Sequence, residues 1–214
     1  MENFDFNLKA HIHGSDGKLG QLAGLVIDPE IRRVTDLIVK QGYLMPQQRV
    51  VPIETVQSAA QDDVHLYISS NDLDGYPEYR LVEYEEPITG LGQKITEVPA
   101  PYGLYGASEP TVPTRKKIIR EGIVFDQKMI ESDMPVKNLE GKIGKAMRLV
   151  MNPERNEIVC LVVQQGIIFH ELLVVPISLV ENVAEDEILI NGANETAENL
   201  MRYNDLVGTN LLTK

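Results

Sequence analysis

The chain has 214 residues, 43% of them hydrophobic and 24% charged, with a formal net charge of −12. A surface of that sign repels phosphate backbones, which argues against direct nucleic-acid binding. The longest uncharged apolar stretch, Ile158 to Phe169, holds Gln164, Gln165 and Gly166 and is too short to cross a bilayer, so no membrane insertion is expected.

In chain order, the opening Met1-Glu2-Asn3-Phe4-Asp5-Phe6 lacks the basic-then-apolar order of a secretory signal. Lys9 to His13 reads as a strand, Ser15-Asp16-Gly17 as a turn, and Leu22 to Asp28 as a second strand. Asp28-Pro29-Glu30 turns the chain, because the aspartate can accept from amides ahead of it and proline presets φ. Val34 to Gln41 is the third strand, with Leu37 and Val39 on the face expected to point inward. After Gly42 a hairpin from Tyr43 to Arg49 leads into Val50-Val51-Pro52-Ile53, and Val64 to Ser69 closes the run.

Pro87 to Pro113 holds five prolines and four glycines in 27 residues and reads as a linker. Its apolar residues, among them Ile88, Leu91, Tyr102 and Tyr105, favour a segment draped over another surface. Beyond it the first run returns. Ser15 to Ser70 reappears without insertion or deletion as Leu139 to Asn194, an offset of 124. Gly17/Gly141, Lys18/Lys142, Gly20/Gly144, Pro29/Pro153, Leu37/Leu161, Gly42/Gly166 and Val50-Val51-Pro52-Ile53/Val174-Val175-Pro176-Ile177 all coincide. These are turn and core residues and include no acid, base or nucleophile at a catalytic spacing. The last strand of the second copy is expected at Glu187 to Ile190, followed by a short helix from Glu195 to Tyr203 capped by Asn194. Each copy is about 75 residues, a size that buries only about 60 to 65% of its unfolded surface alone. The expected domains are 1–80 and 121–203, with 81–120 as linker and 204–214 as tail.

The copies differ on the opposite face of the third strand. Copy one has Val34, Asp36 and Ile38; copy two has Ile158, Cys160 and Val162, too apolar for a wet surface, so that face is expected to be covered. The hairpin tips also diverge, Leu44-Met45-Pro46-Gln47-Gln48 against Ile168-Phe169-His170-Glu171. The lone Cys160 cannot form an internal disulfide and is expected to be a buried, inert thiol in a reducing, cytoplasmic compartment.

The succession of an apolar strand, Asp16-Gly17-Lys18-Leu19-Gly20, a strand ending Asp28-Pro29, Val34 to Val39, Val50-Val51-Pro52 and then Pro77-Glu78-Tyr79 resembles a PRC-barrel domain. Glu140-Gly141-Lys142-Ile143-Gly144 through Val174-Val175-Pro176 resembles a second. The family is named from the cytoplasmic domain of the photosynthetic reaction-centre H subunit and includes the C-terminal half of the ribosome maturation factor of the rim operon. The resemblance implies a mainly β chain of two small barrels serving in protein binding or assembly, with no general catalytic residue.

Motifs for chemistry are weak. His170-Glu171 has Val174 where a zinc motif needs its second histidine, and a calcium loop starting at Ser70 has Leu81 where a bidentate glutamate is needed. Gly90-Leu91-Gly92-Gln93-Lys94 lacks the adjacent Gly-Lys of a phosphate loop. His11, His13 and His65 could form a metal site only by converging, and surface imidazoles are the commoner case. The expectation is a non-enzymatic scaffold without cofactor that self-associates or docks a protein through Ile158, Cys160, Val162, Ile167, Ile168, Phe169, His170 and Glu171. The rivals are an accessory role in ribosome or RNA processing through a basic ribosomal protein, and metal or small-ligand binding by the histidines.

Overall fold

The structure, a computed structural model, describes residues 3–42, 46–60, 62–87, 114–124, 126–166, 171–192 and 200–203. The chain is mainly β, with one four-residue helix among the described residues. The N-terminal half holds β1 (Phe4–Asn7), β2 (His11–Gly14), β3 (Gly17–Asp28), β4 (Arg33–Gln41), β5 (Gln47–Pro52), β6 (Val56–Ala60), β7 (Asp63–Leu66) and helix α1 (Ser70–Leu73). Two further strands are β8 (Arg80–Pro87) and β9 (Thr114–Glu121). The C-terminal half holds β10 (Lys128–Glu131), β11 (Pro135–Asn138), β12 (Gly141–Asn152), β13 (Glu157–Gln165), β14 (Glu171–Pro176), β15 (Val180–Val183) and β16 (Ile188–Ile190).

Fourteen strands join in one curled sheet, and their pairings recur at the offset of 124. Leu25 pairs with Leu37 where Leu149 pairs with Leu161, and the register slips between Leu22 and Gly24 as it does between Ala146 and Arg148. The turns match too. Asp28 Oδ1 accepts from the Glu30 amide at 3.0 Å, and Asn152 Oδ1 accepts from the Glu154 amide at 2.8 Å. Gly17 and Gly141 turn with φ of 137° and 144°, which a side chain rarely tolerates.

The first strand of each half is not paired within its own half. β1 lies antiparallel to β12, with Phe6 opposite Leu149, and β10 lies antiparallel to β3, with Ile130 opposite Leu25. The halves have exchanged their first strands. Between them, the Val34 amide donates to the Asn156 carbonyl at 2.9 Å and the Ile158 amide to the Arg32 carbonyl at 3.0 Å, so the two bonds are equivalent under the offset. Arg32 and Asn156 both stand at positive φ, 55° and 56°, and Arg33 faces Glu157 between them. Phe6, Leu25, Leu37, Ile130, Leu149 and Leu161 are buried in one core fed by both halves. Copies of about 75 residues are too small to bury enough surface singly, and shared burial removes that limit.

Four features differ from the sequence reading. The described residues of Met1–Tyr79 and Gly122–Lys214 make one compact unit rather than two, because the exchanged strands belong to both halves. The expected linker is paired at both ends: β8 and β9 form an antiparallel ribbon with Arg80 opposite Glu121, in a separate unit, Arg80–Glu121. Residues 88–113, which make up nearly all of the segment expected to drape, lie outside the described residues. Strands β1, β6, β10, β11 and β15 correspond to no element expected from the sequence. The last expected strand of the first copy stops at Leu66, and Ser70–Leu73 turns into α1, where Ser69 and Asp72 form a reciprocal capping box. The Asp72 carboxylate is thereby spent on the cap, and its pKa is lowered by the Ser69 backbone and side-chain bonds. The expected helix at 195–203 lies outside the described residues up to position 199.

Candidate interaction surfaces

The outer faces of the two halves are each closed by a tyrosine from a segment that follows the last strand. In the N-terminal half the Val50 amide donates to the Pro77 carbonyl and the Tyr79 amide to the Gln48 carbonyl, both at 2.9 Å. This lays Tyr79 on Val26, Ile38, Val50 and Met129. In the C-terminal half the Val174 amide donates to the Met201 carbonyl at 2.8 Å, and Tyr203 packs on Val150, Cys160, Val162 and Val174. Positions 79 and 203 are again 124 apart.

This arrangement answers the question raised by the apolar strand face. Cys160 and Val162 lie beneath Tyr203 and Leu172, while Ile158 belongs to the shared core; all three are under 5% exposed. As the chain stands, these three side chains present no surface to a partner. Alternation places Val159, not its neighbours, in water. Glu171 is exposed and pairs with Arg202 at 2.9 Å. Ile167, Ile168, Phe169 and His170 lie outside the described residues. Burial first, and the Asp5 charge second, push the Cys160 thiol up to about 12, so it is held as an unreactive thiol at neutral pH.

The two covers are anchored differently. Around Tyr203, Arg148 Nε donates to Asp5 Oδ1 at 2.8 Å, the Tyr203 hydroxyl donates to Asp5 Oδ2, and the guanidinium lies 5.6 Å from the Tyr203 ring centroid. Arg148 and Asp5 are 14% and 17% exposed. Burial opposes the Arg148 charge, but the hydrogen bond and charge of Asp5 outweigh it, and the guanidinium pKa is held above its ordinary value. The equivalent positions around Tyr79 are Gly24 and Met129, an apolar contact in which a Cβ on Gly24 would come within 2.6 Å of the Met129 methyl.

The histidines gather only in part. His13 and His65 stack with centroids 5.1 Å apart, and His13 Nε2 meets Asp63 Oδ1 at 2.9 Å. Among the described residues, no three His, Cys, Asp or Glu side chains are placed to hold a metal ion. No helix among them is long and apolar enough to cross a membrane.

Where the halves meet, two clefts occupy equivalent places. One is lined by Ile27, Pro29, Arg32, Ile177, Val180 and Val183 and measures about 50 Å³. The other, at Ile53, Val56, Ala59, Pro153 and Asn156, opens to about 650 Å³. The scaffold residues coincide, but Ala59 stands where the first cleft has Val183, and Asn156 where it has Arg32. The wider cleft thus carries the smaller side chain at both of these positions. Glu54, Tyr67 and Glu154 also line it, and Tyr67 is 65% exposed. The sequence reading names Ile53 and Pro153 only as repeat positions and assigns no site to Glu54, Tyr67 or Glu154. The contrasts Glu54/Ser178 and Tyr67/Asn191 between the aligned copies carry the signal.

No protein-family model matches the chain, and no curated protein matches it.

Proposed function

We propose that the protein is a non-catalytic binding module, two PRC-type barrels fused through exchanged strands, whose open cleft docks a protein partner. One observation carries this reading: of two equivalent clefts on one frame, the chain fills one with its own side chains and leaves the other open with an aromatic ring and two carboxylates at the rim. The frame does not need that difference to fold, since the filled version stands beside it. A pocket of several hundred cubic ångströms at a junction within the fold is the usual setting for recognition.

Ala60 is exposed and lines the open cleft, so Ala60→Trp obstructs it without touching the core. Affinity capture from the native host and solution mass are compared for wild type and variant. Loss of a specific partner, or of a self-associated mass, in Ala60→Trp supports the reading. Identical partners and identical mass remove it.

A further inference from the structure

We propose that the open cleft receives a lysine or arginine side chain presented by a basic, extended segment of a protein partner. This rests on the binding-module reading and names the chemistry of the partner. Among the described residues, the cleft lining carries Glu54 and Glu154 and no lysine or arginine, whereas the filled cleft is balanced by Arg32 and Glu181. The two carboxylates come from opposite halves: Glu54 from the 3-10 turn Ile53–Thr55, Glu154 from the turn between β12 and β13. Asn156 Nδ2 donates to Glu54 Oε1 at 3.2 Å and ties the two walls together.

Tyr67 stands at the rim with most of its ring in water, and Phe4 lies half-buried alongside. An aromatic face beside carboxylates attracts a cation through ring quadrupole and charge together. An anion is repelled there, and a purely apolar ligand would strip water from two charges without replacing it. A free small cation held by exposed carboxylates alone gains little. A peptide adds further charges steered by a chain of net charge −12 and has the length to occupy about 650 Å³.

The test is calorimetric titration of the full chain with an acetylated, amidated Gly-Arg repeat peptide, with a Gly-Glu repeat peptide and free arginine as comparisons. Saturable binding of the Gly-Arg peptide is expected, weakened by about tenfold or more in Glu54→Gln/Glu154→Gln and about threefold or more in Tyr67→Ala. Glu30→Gln, at the turn equivalent to Glu154 but outside the cleft, leaves it unchanged. Free arginine binds at least about tenfold more weakly than the peptide. All substituted side chains are exposed, and unchanged thermal midpoints confirm the fold of each variant. Equal affinity for wild type and the double variant, or tighter binding of Gly-Glu, overturns the proposal. Absence of Gly-Arg binding also overturns it, and the Ala60→Trp comparison then judges the module reading separately.

Discussion

Tyr79 and Tyr203 cover equivalent faces of the two halves, one over methionine and glycine, the other over an aspartate-arginine pair. The same geometry is thus held by apolar packing on one side and by charge on the other. A buried ion pair gives little net stability over a well-packed apolar contact, but it fails badly when one partner is lost. The Tyr203 cover is therefore the conditional one: it depends on Asp5, whose strand belongs to the opposite half.

The comparison breaks first if the shared frame is not equivalent. Cβ atoms at Gly20 and Gly144 would lie 2.2 Å from the Lys40 carbonyl oxygen and 2.3 Å from that of Gln164. Gly20→Ala and Gly144→Ala should each cost about 3 kcal/mol or more, and alike, in urea unfolding. Asp5→Met, which copies Met129, should remove about 3 kcal/mol by taking from Arg148 its 2.8 Å carboxylate partner. Adding Arg148→Gly, which copies Gly24, should return much of that loss, and purely additive single-variant costs would show that the two side chains are not coupled.

A thiol reagent sharpens the contrast. Cys160 should react only as the cover opens, so Tyr203→Ala should speed its modification by about tenfold or more while Tyr79→Ala leaves it near the wild-type rate. Equal acceleration by both variants would mean that the faces communicate. The Tyr203 hydroxyl is pushed up to about 12 by burial and then by Asp5, from an ordinary value of 10.0. A group raised on folding stabilises fully below its unfolded pKa, so this contribution is intact below about 10 and is lost as pH rises toward 12. Denaturant midpoints across that window should fall more steeply for wild type than for Tyr203→Phe. Smallest of all, Glu157→Gln should change stability by less than about 0.5 kcal/mol, because the Arg33–Glu157 pair is exposed at 3.5 Å.

The strands Arg33–Gln41 and Glu157–Gln165 were legible because alternation, turn glycines and the Asx turns at Asp28 and Asn152 are local signals. The exchange was not. Phe4-Asp5-Phe6-Asn7 alternates over only four residues, and nothing in it says that its partner is Arg148–Met151; Asp5 and Arg148 are 143 positions apart. The covering of Cys160 and Val162 followed from their apolarity, but the identity of the cover lay in Tyr203, which reads as an ordinary helix-end tyrosine until matched with Tyr79. The open cleft differs from its counterpart at Ala59 and Asn156, positions that the aligned copies contrast but that only the fold brings to one cleft.

The seating of Phe4–Asn7 against Arg148–Met151 also sets a schedule for biosynthesis. While the chain is being translated, its first strand has no pairing edge until the message has been read past Met151, a delay of roughly 8 to 30 seconds at ordinary elongation rates. Throughout that interval Phe4 and Phe6 ride unprotected on the nascent polypeptide, an opening for chaperones to bind and for neighbouring nascent chains to entangle.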